Sequence, residues 1–101
     1  MKNLTISYTD IAREDLFEIF IHSVLEYGNS GADKYLATIY KGVSKLYKNP
    51  LMGHKREDLP VNYLALMVGQ HFIKYRYDGL ENLYILRFLH SRMDFSRKVK
   101  G

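Results

Sequence analysis

Ionisable side chains cluster at the end of the most apolar stretch of the chain. Leu83 to Leu89 is short, strongly apolar and preceded by the turn signal Asp78-Gly79, a pattern typical of a buried strand. His90, Arg92 and Asp94 follow within five residues. Because a strand holds the groups at its end in fixed positions, this cluster predicts a binding or reactive site. The alternative is that Arg92 and Asp94 begin a solvated helix and that His90 only caps the strand.

Arg87 poses a separate question, because its neighbours on one strand face, Ile85 and Leu89, are both apolar. An arginine in such surroundings usually has a partner. That partner is either internal, with Asp58 and Asp94 as candidates, or is supplied by a bound protein.

Composition limits the class of protein. The chain has 101 residues, which predicts a single domain over 1–101, and 47% of them are hydrophobic, which indicates a globular fold. The net charge of +4 is compatible with nucleic acid or an acidic protein segment as a partner and decides neither. The absence of cysteine excludes disulfides and thiolate chemistry. The four histidines show no metal-ligand spacing, so no metal and no cofactor are expected. Without a leader or a membrane-length apolar run, we expect a cytoplasmic protein that does not enter membranes.

The elements that position these groups can be predicted from periodicity. Leu4 to Tyr8 alternates as a strand, and a helix follows up to Gly28, a glycine typical of a left-handed cap. Asn29-Ser30-Gly31 predicts a tight turn, and a second helix from Ala32 ends at Asn49-Pro50. Helices joined so briefly form an antiparallel αα-hairpin. The apolar stripes expected to face the core are Ala12, Leu16, Ile19, Phe20, Val24 and Tyr27 on the first helix, and Ala32, Tyr35, Leu36, Ile39, Val43, Leu46 and Tyr47 on the second. Lys34, Lys41, Lys45 and Lys48 form a solvated face.

The second half of the chain predicts an antiparallel meander. Tyr63 to Val68 and His71 to Tyr77 are strands joined by the hairpin signal Gly69-Gln70. The exposed connection before them, residues 51–60, offers His54, Arg56 and Asp58 as functional candidates. The fold class is therefore α+β, of order β-αα-βββ, with the αα-hairpin on one face of a small, mostly antiparallel sheet and a short C-terminal helix. The other face is expected to stay open and to expose Leu83, Ile85 and Leu89.

A family resemblance is carried by residues spread along the chain. They are Ala12-x-x-Asp15-Leu16-x-x-Ile19 and Tyr27-Gly28, then Ala32, Tyr35 and Ile39, then Asn49-Pro50-x-x-Gly53 and Arg56-x-Asp58-Leu59, then Val68-Gly69-x-His71-x-Ile73-x-Tyr75 and Ile85-x-Arg87-x-Leu89-His90-x-Arg92-Met93-Asp94. Through them the chain resembles, over nearly its whole length, the ParE branch of the ParE/RelE toxin superfamily of bacterial toxin–antitoxin modules.

The resemblance implies the toxin of a type II toxin–antitoxin module that arrests growth by poisoning DNA gyrase. Gyrase inhibition favours a protein that is not an enzyme, and if the chain is an enzyme we expect an mRNA endoribonuclease. It implies a cognate antitoxin whose extended segment wraps the open face in a hetero-oligomer, with nucleic acid contacted only through the antitoxin or the target. The residues expected to bind antitoxin or target are Arg56, Asp58, Arg76, Arg87, His90, Arg92 and Met93.

Two alternatives stay open. One is a RelE-like, ribosome-dependent mRNA endoribonuclease that uses His71, Arg87, His90 and Arg92. Two departures count against it: Leu64 stands where the family pattern commonly has an arginine, and the carboxylate of Asp94 would repel a phosphate. The other alternative is an inert protein that serves only to bind the antitoxin.

Overall fold

The computed structural model describes residues 4–55, 59–60 and 62–92. Five elements follow in the order β1 (Thr5–Tyr8), α1 (Asp10–Lys48), β2 (Tyr63–Val68), β3 (His71–Tyr77) and β4 (Asn82–His90). The strands form one sheet in the order β1-β4-β3-β2, in which only the β1–β4 pair is parallel. The predicted α+β class with a mostly antiparallel sheet is confirmed. The predicted C-terminal helix lies outside the described residues.

Helix α1 begins at a side-chain cap and is broken once, at Gly28. The Thr9 hydroxyl accepts a hydrogen bond from the Ala12 N–H at 3.0 Å and donates one to the Leu86 carbonyl at 2.8 Å. Gly28 has φ 77° and ψ 178°, a conformation open in practice to glycine alone. An unbroken helix of 39 residues would be about 58 Å long. The molecule's longest dimension is 39 Å, so the chain must fold back at Gly28.

We call residues 10–27 the first arm and residues 29–48 the second arm of α1. The predicted hairpin and the positive φ of Gly28 are confirmed, but the predicted turn at Asn29-Ser30-Gly31 is wrong, because the helix resumes immediately after Gly28. A single residue with unusual dihedral angles is enough to reverse the chain.

Both arms bury one stripe against the same face of the sheet. The main core contains Ala12 and Ile19 from the first arm, Ile39, Val43 and Leu46 from the second, and Leu64, Val68, Ile73, Tyr75, Leu83, Ile85 and Phe88 from the sheet. Of the predicted stripes, Tyr27 and Tyr47 are exposed, and Phe20 and Val24 are half-buried without belonging to this core. The other predicted members are buried or half-buried. Ser23 is buried on the first arm instead. Neither arm, and no other helix in the described ranges, combines the length and apolarity that a bilayer crossing requires.

A β-bulge in β4 changes which side chains face the helices. Lys74 pairs with Arg87 and Tyr75 pairs with Ile85, so Leu86 has no partner in the ladder and the alternation shifts by one residue. Ile85 therefore faces the helices before the bulge and Phe88 does so after it.

The prediction that Leu83, Ile85 and Leu89 line an exposed apolar face is wrong, because all three are fully buried. Leu83 and Ile85 lie in the main core under α1. Leu89 faces the opposite side, where Leu59 of the connection between α1 and β2 covers it together with Ala65.

The start of that connection is held against the sheet by backbone hydrogen bonds and one tyrosine. His54 and Ala65 exchange backbone hydrogen bonds of 2.8 and 3.0 Å, which covers part of the outer edge of β2. The buried Tyr75 hydroxyl accepts from the Gly53 N–H at 2.9 Å and donates to the Pro50 carbonyl at 2.8 Å. These bonds position the chain that leads to Leu59.

Candidate functional site

A groove of about 680 Å³ opens between the first arm of α1 and the end of the sheet where β4 stops. The turn between β2 and β3 closes its base, and the hairpin bend lies at its rim. Its walls are formed by Asp15, Glu18, Ile19, His22, Ser23, Leu25, Glu26 and Tyr27 from the first arm, Tyr35 from the second, and Gln70, His71, Phe88 and His90 from the sheet.

Two predicted site residues, His71 and His90, meet in this groove. They are directly paired across β3 and β4, and their ring centroids are 5.1 Å apart in an edge-to-face arrangement. Neighbouring strands place them side by side, although 18 residues of chain separate them. His54, another candidate, lies at the outer edge of β2 and is not among the groove-lining residues.

Tyr35 of the second arm contacts His71 at the base of the groove through a hydrogen bond. The Tyr35 hydroxyl accepts the Gln70 N–H at 2.9 Å and also shares a hydrogen bond with His71 Nδ1. Gly69 makes this approach possible, because a Cβ at that position would lie 2.9 Å from the Tyr35 ring. Burial, followed by the nearby His90, lowers the pKa of His71 to about 4. His71 is therefore a neutral imidazole near pH 7.

Arg87 has an internal partner in Asp15 of the first arm. Arg87 Nε and Nη2 lie 2.8 and 3.0 Å from the two oxygens of this carboxylate, which also accepts the Phe88 N–H at 3.0 Å. The pair is mostly buried, with side chains 25% and 13% exposed. The hydrogen bonds that Arg87 donates to Asp15 raise the pKa of Arg87. Asp15 was not among the partners predicted for Arg87.

The end of β1 explains why Asp15 reaches β4. Strand β1 pairs with Asn82 to Ile85 only, so β4 continues to His90 without a described strand on that side. The Asp15 carboxylate accepts a hydrogen bond from the Phe88 N–H, which a longer β1 could have paired with instead. Nearby, the Thr9 hydroxyl donates to the Leu86 carbonyl. A side chain thus satisfies a strand edge that would otherwise need another partner.

The remaining predicted residues are divided between two places. Arg92 is exposed next to the groove, where its N–H donates to His90 Nδ1 at 3.1 Å. Arg76 lies on the sheet face away from the helices, with its guanidinium carbon 4.6 Å from the centre of the Tyr84 ring. Lys74 lies on the same face, 5.6 Å from the Tyr63 ring centre. Arg56, Asp58, Met93 and Asp94 lie outside the described residues.

Leu64 does not have the role that the sequence suggested. Its side chain is buried in the main core, opposite Tyr75, rather than on the face that carries Arg76. An arginine in this orientation would not face a substrate. The argument that Leu64 deprives a site of a cation is therefore wrong.

Sequence reasoning missed Asp15 and Tyr35 as site residues. Asp15 follows buried Ala12 by three residues and precedes buried Ile19 by four, which places a carboxylate beside the core stripe. That spacing is a usable signal, because a carboxylate there needs a partner. Tyr35 gave no comparable signal, since its contact with His71 depends on how the second arm packs on the sheet.

The groove combines proton-transfer groups with negative charge. His71 and His90 could exchange protons with a bound molecule, but Asp15, Glu18 and Glu26 line the same walls. No lysine or arginine lines the groove among the residues that the structure describes. In the same part of the chain, no three histidine or carboxylate side chains are placed to share a metal ion. The groove is thus better suited to an apolar or cationic segment than to a phosphate.

Comparison with known proteins establishes the family. Residues 6–95 match the family model described as ParE toxin of the type II toxin–antitoxin system, parDE. The chain therefore belongs to the ParE toxin family, as the resemblance implied, and is a toxin of the type II toxin–antitoxin class.

Similar proteins agree with this assignment. Two proteins named Toxin ParE1, from the CDC 1551 and H37Rv strains of Mycobacterium tuberculosis, are each 28% identical over 88 residues, which is 87% of this chain and 90% of theirs. A chromosomal ParDE toxin–antitoxin system from P. aeruginosa shares the fold with a TM-score of 0.74 and 23% identity, covering 87% of this chain and 96% of the other. The RelBE2 toxin–antitoxin complex of M. tuberculosis gives a TM-score of 0.52 and 22% identity, covering 87% and 98%.

Proposed function

We propose that this toxin arrests growth by inhibiting DNA gyrase and that a cognate antitoxin neutralises it in a hetero-oligomer. On this proposal the chain works in the cytoplasm, needs no cofactor and contacts nucleic acid only through its target or its antitoxin. Membership of the ParE family supports the assignment as a toxin. The observation that favours a protein target over RNA is the charge of the groove around His71 and His90.

The ribonuclease alternative has one observation in its favour, the two adjacent imidazoles. A ribonuclease must also stabilise the charge that develops on the phosphate. Arg87, the nearest cation of β4, is already held by Asp15. Glu18 and Glu26 add negative charge where the phosphate would lie. Repulsion between these carboxylates and the phosphate would weaken RNA binding, so the histidines would have little bound substrate to act on.

The antitoxin is proposed from two observations. The similar solved structures are described as a ParDE toxin–antitoxin system and as a RelBE2 toxin–antitoxin complex. On this chain, the sheet face away from the helices carries Lys74 and Arg76, and none of the four strands contains a carboxylate. We propose that an acidic antitoxin segment binds there and extends to His90 and Arg92. Arg56, Asp58, Arg87 and Met93 remain proposed members of the same binding surface.

Inducible expression of the chain in a bacterial host tests the proposal. We expect growth arrest with a DNA-damage response, rescue by co-expression of the antitoxin, and inhibition of purified gyrase in a supercoiling assay. A purified translation system should show no message cleavage. Codon-specific cuts that His90→Ala abolishes would establish the ribonuclease instead. Normal growth, together with tight antitoxin binding, would identify the inert binding protein.

A further inference from the structure

The first arm of α1 carries a second apolar row on its outer side. Phe17, Ile21 and Leu25 are 65%, 43% and 81% exposed. Ile21 and Leu25 each follow a buried residue, Ile19 and Ser23, by two positions. Two positions turn a helix by about 200°, so Ile21 and Leu25 point away from the core, and Leu25 also borders the groove. Large apolar groups at regular spacing on a surface indicate a contact with another protein.

The second arm carries a row of lysines on its own outer side. Each lysine follows a buried residue by two positions, so all four point away from the sheet. The pairs of buried residue and lysine are Ala32 and Lys34, Ile39 and Lys41, Val43 and Lys45, and Leu46 and Lys48. Between the lysines lie the small exposed side chains of Ala37 and Ser44. This row offers a shallow surface bordered by flexible lysine stems.

The two arms have opposite charge. Residues 10–27 contain five carboxylates and one arginine, a net charge of −4, although the whole chain has a net charge of +4. Residues 29–48 contain four lysines and one aspartate, a net charge of +3. Glu14 lies beside Phe17 and Ile21 on the outer side of the first arm, and Glu18 lies between that side and the groove, whose wall it also lines. Among the residues that the structure describes, no ion pair joins a carboxylate of the first arm to a lysine of the second.

We propose that the chain forms a two-fold symmetric dimer through its helical layer, with the first arm of one copy against the second arm of the other. The symmetry makes this contact twice. Phe17, Ile21 and Leu25 then lie over Ala37, Ser44 and the lysine stems, while Glu14 and Glu18 approach the lysine ammonium groups. Contact between two first arms would instead bring carboxylates together. The dimer leaves the face that carries Lys74 and Arg76 free.

Charge exchange tests this arrangement. In Lys41→Glu/Lys45→Glu the net charge of the second arm changes from +3 to −1, so both arms are acidic. In Glu14→Lys/Glu18→Lys the net charge of the first arm changes from −4 to 0, so it no longer attracts the basic second arm. Each variant should therefore dimerise at least tenfold more weakly than the wild type. Mixed together, the two variants should form a heterodimer, because the glutamates introduced in one copy then meet the lysines introduced in the other. Light scattering should give the wild type twice the chain mass of 11.9 kDa, and native mass spectrometry distinguishes the heterodimer.

Controls keep the test decisive. Lys55→Glu/Glu81→Lys changes two exposed residues outside the helical layer and should dimerise like the wild type. Circular dichroism establishes that each variant is folded. If the Glu14→Lys/Glu18→Lys variant unfolds, Phe17→Ser/Leu25→Ser tests the same contact and should also weaken the dimer at least tenfold. A wild-type monomer at hundreds of micromolar, or variants that fail to recover a dimer on mixing, would overturn the proposal. Neither result bears on toxicity, which the expression assay measures separately.

Discussion

Replacement of Asp15 by asparagine should destabilise the fold by about 2 kcal/mol. Asp15 accepts three hydrogen bonds, two from the Arg87 guanidinium and one from the Phe88 N–H. Removing one partner of a fully buried pair costs roughly 3–5 kcal/mol, and a hydrogen bond to a charged group contributes roughly 1.5–3 kcal/mol. A value near the lower end of these ranges is expected for two reasons. A quarter of the Arg87 side chain stays exposed to water, and the asparagine side-chain oxygen can still accept a hydrogen bond from the Phe88 N–H. Asp15→Ala, which loses all three bonds, should cost about 3 kcal/mol.

Urea unfolding followed by circular dichroism measures the change. A double-mutant cycle with Arg87→Met should give a coupling free energy above about 1 kcal/mol, which exceeds that of a typical surface pair. Asp10→Asn is the matched control, because its pair with Arg13 is exposed and 3.8 Å long. That variant should unfold within about 0.5 kcal/mol of the wild type. Additive effects of Asp15→Asn and Arg87→Met would refute the assignment of an energetically important pair.

The same variants separate the two roles considered for Arg87. If Arg87 acts only within the fold, Arg87→Met should lower the free energy of unfolding and leave antitoxin affinity per folded molecule unchanged. If Arg87 also binds the antitoxin, affinity should fall beyond what the loss of folded protein explains. Titration calorimetry at a temperature where the variant is fully folded makes this comparison.

Three further results are expected from the geometry. Gly28→Val should destabilise the fold by about 1 kcal/mol or more in urea unfolding, because valine must adopt φ 77°. Since the pKa of His71 is about 4 rather than 6.5, the unfolded chain binds the proton first as the pH falls. The stability that neutral His71 contributes is therefore complete above pH 6.5 and is lost between pH 6.5 and about 4. Unfolding curves across this range should show that His71→Gln removes about 1–2 kcal/mol of the pH dependence, after allowance for solvent screening of the half-buried ring. Tyr75→Phe should lower the free energy of unfolding by about 1–3 kcal/mol, because it removes the hydroxyl that bonds both Gly53 and Pro50. Tyr77→Phe should lower it far less, since the Tyr77 hydroxyl is exposed.

Features with local causes could be predicted from the sequence. Strands β2 and β3 have the predicted bounds, because alternating or β-branched runs are interrupted by Gly69-Gln70, and Gly69 has φ 58°. Gly28 ends the first arm as expected of a glycine after an apolar stripe. The pairing of His71 with His90 could not be read directly from the sequence, because the register between β3 and β4 is set by the turns and the bulge together.

Features with long-range causes could not be predicted in this way. The bulge at Leu86 depends on the geometry of the β3–β4 pair, and period-two alternation along β4 cannot reveal it. The sequence therefore placed Leu89 on the same face as Ile85, whereas the fold buries the two on opposite faces. Arg87 was correctly singled out as an arginine in need of a partner, but the chain distance to Asp15 is 72 residues.

The orientation of the first arm on the sheet links the groove to the exposed apolar row on the arm's outer side. Apolar residues occur on more than one side of this arm, so periodicity alone does not decide which side faces the core. The hydrogen bonds from Arg87 and Phe88 to Asp15 hold the arm in one orientation against β4. In that orientation Ser23 is buried and Leu25 points outward. The polar pair at the groove thus helps to determine which apolar residues remain available for a partner.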